Sequence, residues 1–258
     1  FLQKFSHMDL ATRNLSVSYA MAENTFAVTQ TPAGEAARLD VIDGMELSKN
    51  GRALPSTAGA KHAVTHVSCG RAIVDTAIVI LDESHRPLPD RHVGEIGIKS
   101  NCMLAEYHHR PDLQPFVADG ISDGFYLTGD RGYLADGELY IVGRAKDLII
   151  NAGKNVYPQD IEAIVNEVDG VKNGRAVVFG VQDEREGTEL IAVMAEVATE
   201  DMATRKKINK AIRQAVATHS TVTVSYVQLV GEKTILKTSS GKLARAANRD
   251  RWLAERKG

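Results

Sequence analysis

The sequence predicts an α/β and α+β chain: a β-rich portion of a large domain over residues 1–146, then a small α+β domain over residues 147–258. Up to Val142 the apolar residues gather in short β-prone runs separated by glycine turns. After Lys146 such runs alternate with stretches of helical spacing, in the order β-β-α-β-β-α-β-α. A length of 258 residues suits one large or two ordinary domains and can bury a real core.

Taken in order, residues 1–30 join a short helical segment to the apolar-rich Leu15-Ser16-Val17-Ser18-Tyr19. Residues 31–68 are polar and carry Pro32, Gly34, Gly44, Gly51, Pro55 and Gly59, which predicts an extended loop with a few short strands. Ile73–Leu81 is rich in β-branched residues and predicts a strand, and Gly94–Lys99 alternates apolar with polar as another. Phe125-Tyr126-Leu127 and Glu138–Val142 flank the turn Ala135-Asp136-Gly137. Short strands with glycine turns make a compact β subdomain. Beyond it, Leu148-Ile149-Ile150 and Asn155-Val156-Tyr157 bracket Ala152-Gly153-Lys154 as a hairpin. Pro158 suits the first turn of a helix whose apolar residues Ile161, Ile164 and Val165 recur at helical spacing through Val168. Strands follow at Ala176–Val181 and Leu190–Val197, then a charged helix from about Ala203 to Ala217, a strand at Val224–Val230 and a last helix from about Leu243.

Hydrophobic residues make up 43% and charged residues 25%, the balance of a soluble globular protein. A formal net charge of -2 gives no reason to expect nucleic acid or an anionic membrane as partner. Cys69 and Cys102 are too few for a disulfide framework and lack metal-ligand spacing, as two reduced thiols of a cytoplasmic protein would. No apolar run approaches the ~18 residues of a membrane helix, and nothing near Phe1 resembles a signal peptide. The chain starts with Phe1 in the middle of a pattern and reads as a fragment of a longer protein.

Three glycine-punctuated, charged patches stand out. Thr128-Gly129-Asp130 predicts a short turn after an apolar strand, with a carboxylate at its tip that could accept two hydrogen bonds from paired hydroxyls. By itself a Thr-Gly-Asp is an ordinary turn. The second patch runs from Gly143-Arg144-Ala145-Lys146-Asp147 to Pro158-Gln159-Asp160-Ile161-Glu162. The third, Lys237-Thr238-Ser239-Ser240-Gly241-Lys242, follows about eighty residues later. Its Ser-Ser-Gly-Lys lacks the upstream glycine of a phosphate-binding P-loop. His85, His92, His108 and His109 lie in polar stretches without ligand spacing, as surface histidines do. Arg205, Lys206, Lys207, Lys210 and Arg213 give one helix a basic side, ordinarily a solvated face and alternatively a docking face for an acidic partner protein.

The ordered set resembles the adenylate-forming superfamily, which includes acyl-CoA synthetases, fatty acyl-AMP ligases, peptide-synthetase adenylation domains and luciferases. An upstream segment, Tyr19-Ala20-Met21-Ala22-Glu23-Asn24, is similar to that family's Tyr-Gly-x-Thr-Glu, with Ala20 and Ala22 as departures. The resemblance implies ATP and Mg²⁺, with Tyr19 packed on adenine, Asp130 on the ribose, Arg144 on ribose and phosphate, and Glu23 holding the metal. It implies Lys242 as the catalytic lysine beside the α-phosphate, Lys146 and Asp147 as a hinge, and Gly153, Lys154 and Asn155 as a loop lining the thiol channel. The chain would then be the β-rich C-terminal part of the large adenylate-forming domain followed by the small lid domain, without the phosphate loop. More than forty residues separate Glu23 from Ser68-Cys69-Gly70, which together with Ala22 resembles the fatty acyl-AMP ligase branch. That branch implies a fatty acid substrate and an acyl carrier protein as acceptor, where a synthetase would use CoA. The alternative from another class is a non-catalytic interaction module.

Overall fold

A computed structural model describes every residue except 1, 3, 111, 114, 118–121, 184, 185 and 258. They form two compact units, Phe1–Ala145 and Lys146–Gly258.

The first unit opens with 3₁₀ turns at Ser6–Met8 and Thr12–Asn14, where a short helix is expected from the sequence. Strands β1 (Ser18–Ala20) and β2 (Ala27–Gln30) pair antiparallel. Next come β3 (Leu39–Asp43), helix α1 (Gly44–Asn50) and β4 (Ala63–Val67), with β3 and β4 antiparallel. The sequence predicts only loop and short strands here. The helix forms because Asp43 Oδ1 caps Met45 N at 2.7 Å and Glu46 N at 3.2 Å, and Gly51 closes it in the left-handed region. Strand β5 (Arg71–Ala72) completes a sheet with β2, and β6 (Thr76–Leu81), β7 (Gly94–Ser100), β8 (Tyr126–Ala135) and β9 (Glu138–Arg144) make a four-stranded antiparallel meander. Asp136 (φ 53°) and Gly137 (φ 76°) join β8 to β9 as the two-residue turn that matches strand twist. Val28, Ile80, Ile96, Ile98 and Leu139 form the core beneath.

Strand β8 continues through Thr128-Gly129-Asp130, so the expected turn is instead a bulge. Between the pairs Leu127–Gly97 and Arg131–Glu95, three residues of β8 face the single Ile96 of β7. Gly129 has φ +69°, and nothing lies within 4 Å of where its Cβ would stand, so conformation rather than space calls for glycine. Thr128 Oγ1 pins the bulge, donating to Ile96 O at 2.9 Å and accepting from Asp130 N at 3.0 Å. The irregularity re-aims Asp130 while keeping it opposite Arg144 in the β8–β9 ladder.

Two buried polar knots tie the β3–β4 segment and its exit to the meander. Asp40 accepts from Tyr133 Oη at 2.8 Å and from Arg91 at 3.0 Å, with His66 Nδ1 3.3 Å from the same tyrosine hydroxyl. Glu138, 2% exposed, accepts from Ser68 at 2.6 Å and Arg71 at 2.9 Å.

The second unit begins with the hairpin β10 (Ile149–Asn151) and β11 (Lys154–Val156), then α2 (Pro158–Asn166) with proline in its first turn. Strands β12 (Val171–Asp183) and β13 (Thr188–Val197) pair antiparallel. Helix α3 (Met202–His219) then crosses over so that β14 (Tyr226–Val230) lies parallel to β13, and α4 (Arg245–Lys257) ends the fold. Alternation along the strands separates two cores. Val178, Val193 and Ala195 pack with Ile161 and Val165 of α2 and Ile208, Ile212 and Val216 of α3. Val177, Phe179, Ala192 and Met194 pack with Trp252 of α4 on the other face. The outer edge of β14 is covered by side chains of α3. Arg205 donates to Leu229 O, Asn209 to Val227 O at 3.2 Å, and Arg213 to Val224 O at 2.5 Å and Ser225 O at 3.3 Å.

Candidate active site

In the first unit the fold brings Tyr19, Asp130 and Arg144 together. Asp130 Oδ1 accepts from Arg144 Nε at 2.8 Å and Oδ2 from Tyr19 Oη at 2.5 Å. The carboxylate is 7% exposed, unlike the free tip expected from sequence, because the bulge keeps it within the sheet. Each oxygen nonetheless retains a second lone pair toward an incoming hydroxyl. Burial, then the charge of Asp130, pushes the Tyr19 hydroxyl pKa well up, so it stays a donor. Arg144 is exposed and offers the rest of its fork to solvent.

Glu23 sits in a 3₁₀ turn, Ala22–Asn24, of the same unit. Its Oε1 accepts from Tyr107 Oη at 3.0 Å, and that hydroxyl lies 2.8 Å from Tyr126 Oη. Burial and then the bond with Tyr107 raise the Tyr126 pKa. Among the described residues no group of three or more His, Cys, Asp or Glu side chains could hold a metal ion. A lone carboxylate suits a Mg²⁺ that arrives with phosphates and keeps its waters, and does not suit a resident metal.

In the second unit Lys242 ends a tight loop. Thr238 N donates to Lys242 O at 2.8 Å, Gly241 N to Thr238 O at 2.8 Å, and Lys242 N to Thr238 Oγ1 at 3.2 Å. Gly241 has φ +82° with no atom near its Cβ position. The Lys242 side chain is exposed, and its ammonium has no ion-pair partner among the described residues.

Lys146 and Asp147 belong to the 3₁₀ turn Ala145–Asp147 at the division between the units. Lys146 is exposed, whereas Asp147 accepts from Arg245 at 3.0 Å. Arg245 also grips Glu162 through two bonds of 2.9 and 2.6 Å. Burial opposes its charge, but Glu162 and Asp147 outweigh that and raise its pKa. The hairpin tip is Ala152-Gly153, with φ 49° and 74°, so only Gly153 of the three expected loop residues lies there. Lys154 and Asn155 belong to β11, and Lys154 Nζ donates to Thr221 O at 2.8 Å.

Tyr107, Tyr126, Arg245 and Asn248 are contacts that reading the sequence did not single out. Glu23 lies 84 residues from Tyr107 and Glu162 lies 83 from Arg245, while the Asn248 side chain bonds main-chain groups 4 and 12 residues away, so no pattern of side-chain types marks them. The His108 and His109 rings lie with centroids 3.8 Å apart, tilted by 53°. Cys69 and Cys102 are free. No helix among the described residues is long and apolar enough to cross a membrane.

Residues 153–249 match the family model described as the AMP-binding enzyme C-terminal domain. A putative acyl-CoA synthetase of Caulobacter vibrioides is 32% identical over 98% of this chain and 44% of its own length. The long-chain-fatty-acid–AMP ligase FadD32 of Mycolicibacterium smegmatis is 31% identical over 98% of this chain and 46% of its own length. A solved structure from studies of fatty acyl-adenylate ligases of E. coli and L. pneumophila superposes with a TM-score of 0.83 at 30% identity, over 97% of this chain and 44% of that one. The chain thus spans about half the length of the curated relatives it matches.

Proposed function

We propose, from the premise that this chain belongs to the adenylate-forming enzymes, that the whole protein activates a fatty acid with ATP and passes the acyl group to the phosphopantetheine thiol of an acyl carrier protein. The observation that carries this reading is the Tyr19–Asp130–Arg144 cluster, in which a buried carboxylate is already aimed and hydrogen-bonded by a phenol and a guanidinium. The two hydroxyls of a ribose would occupy its remaining lone pairs or displace the tyrosine hydroxyl, leaving the Tyr19 ring for adenine. Glu23, oriented by Tyr107, would hold the Mg²⁺ that accompanies the triphosphate. A fatty carboxylate oxygen then attacks the α-phosphorus, the bond to the β-phosphate breaks, and pyrophosphate leaves. Lys242 offers its ammonium to the charge that builds on the α-phosphate. In the second step the thiol attacks the acyl carbonyl and AMP departs. Lys146 and Asp147 serve as the pivot between the two steps, which the division of the chain at Ala145 supports. Gly153, Lys154 and Asn155 are read as lining the thiol's path. The reading carries a cytoplasmic location, where ATP and carrier protein are supplied.

The putative acyl-CoA synthetase at 32% identity favours a second reading, with CoA as acceptor. Full-length protein is incubated with laurate, ATP and Mg²⁺, and pyrophosphate release is followed with either CoA or phosphopantetheinylated carrier protein. Acyl-adenylate and acyl-carrier are the expected products. Rapid acyl-CoA formation would transfer the protein to the second reading, and no pyrophosphate release under any condition would leave an interaction module.

A further inference from the structure

Lys242 has no side-chain anchor among the described residues, so whatever places its ammonium must act through the backbone. The loop that carries it is pinched shut at its base. Lys237 and Leu243 form an isolated antiparallel bridge, and Ala244 N donates to Leu236 O at 3.1 Å. Beneath that bridge lies Asn248, the fourth residue of α4 and 0% exposed. Its Oδ1 accepts from Leu236 N at 2.9 Å, while its Nδ2 donates to Leu236 O and to Ala244 O, each at 2.9 Å. One amide therefore grips both strands of the loop, taking up both backbone groups of the residue before it and the carbonyl of the residue after it. A second anchor lies immediately upstream, where the buried Glu196 accepts from Ile235 N at 2.9 Å.

We infer that Asn248 is a positioning residue for the adenylation step: its buried amide clamps Leu236 to Ala244 and so fixes where Lys242 projects. The inference rests on the catalytic reading of Lys242 above. The amide is suited to the task because donor and acceptor sit on one rigid plane, and the two groups of Leu236 are its mirror image. Leucine or alanine at this position would leave the Leu236 amide unpaired inside the protein and the Leu236 and Ala244 carbonyls with their main-chain donors alone. A loop freed at its base would swing the ammonium by the order of an ångström, which costs on the order of a hundredfold in rate for a group that must meet a transition state.

The test is a double-mutant cycle in the full-length protein, reading each half-reaction separately. Asn248→Ala is expected to slow acyl-adenylate formation about a hundredfold while transfer from preformed acyl-adenylate to thiol stays within about twofold. Adding Lys242→Ala to Asn248→Ala is expected to cost no more than Lys242→Ala alone, because the amide acts through the lysine. Equal loss in both half-reactions, or additive loss in the double variant, would show a general structural role and overturn the inference. Thr238→Val supplies a second variant at an exposed site, for the case in which Asn248→Ala does not fold. It removes the side-chain acceptor of the Lys242 amide, and the same half-reaction is expected to fall less steeply. Hydrogen exchange at Gly241 and Lys242 reads the clamp independently of chemistry, and unchanged protection in Asn248→Ala would overturn it. Should Lys242→Ala leave adenylation untouched while exchange at the loop rises in Asn248→Ala, the clamp stands as a loop anchor and it is the catalytic reading that fails.

Discussion

Asp130 is 7% exposed with a protein partner on each carboxylate oxygen, whereas Lys242 is exposed with no ion-pair partner for its ammonium among the described residues. The difference follows from where each charge lives. A carboxylate inside a sheet loses its hydration and has to be satisfied by the protein. A lysine on a surface loop keeps its water, so its placement falls to the backbone around it and to the Asn248 amide beneath. One group is held by what its own atoms touch, the other by what its loop is tied to.

The largest expected effect comes from removing the foundation of the lysine side. Glu162 is 5% exposed, and Arg245 supplies two of its hydrogen bonds, with Val178 N giving another at 3.0 Å. Arg245→Ala strands a buried carboxylate and should lower the stability of the second unit by about 3–5 kcal/mol in denaturant unfolding. Arg245→Lys should recover only part, since an ammonium cannot reproduce the planar fork. A loss under about 1 kcal/mol would mean the pair behaves as a surface ion pair.

The first unit should yield instead to pH. Burial pushes the His66 pKa down from 6.5 to about 4, with the charge of Asp40 opposing. The unfolded chain takes up this proton near 6.5 and the folded chain only near 4, so folding is favoured above 6.5 and loses ground as pH falls between those values. The full loss is about 3 kcal/mol. Urea unfolding of the first unit should show this slope, and His66→Gln should flatten it. A slope unchanged in the variant would assign acid sensitivity to other groups.

The smallest effect sharpens the comparison most. Tyr19→Phe deletes one partner of Asp130 and keeps the ring. Stability should fall by about 1.5–2 kcal/mol, the lower part of the range for a hydrogen bond to a charged acceptor. ATP should bind at least as tightly by calorimetry, because the lost hydroxyl competed with the ribose for Oδ2. Clearly weaker binding would mean that the phenol itself contacts nucleotide.

Much of this fold was open to a reader of the sequence, for local reasons. Asp136-Gly137 marks its turn because both residues tolerate positive φ, and Pro158 marks the start of α2 because its ring suits a first helical turn. The order of elements in the second unit follows from periodicity alone. What stayed hidden is non-local or small. The three-against-one bulge at Thr128-Gly129-Asp130 is a property of pairing with Ile96, which no pattern within β8 discloses. Helix α1 has seven residues and is carried by its cap at Asp43, too short for a periodic stripe. For the candidate site, resemblance pointed to Tyr19, Asp130 and Arg144, which the fold gathers, but could not show that they bond to one another. The hydroxyls of Tyr107 and Tyr126 and the amide of Asn248 fell outside any motif.

A sheet that ends in an unpaired strand is an invitation to another chain, since its outward carbonyls and amides can template a further strand. At the β14 edge, three side chains spaced four apart on α3 hold the carbonyls of Val224, Ser225, Val227 and Leu229. The spacing works because one helical turn of about 5.4 Å roughly matches the step of about 6.6 Å between alternate strand residues. A neighbouring chain would have to displace cationic guanidinium groups before it could pair. The basic character of this helix is thus partly a seal against polymerisation, while Lys206, Lys207 and Lys210 between its two arginines face water.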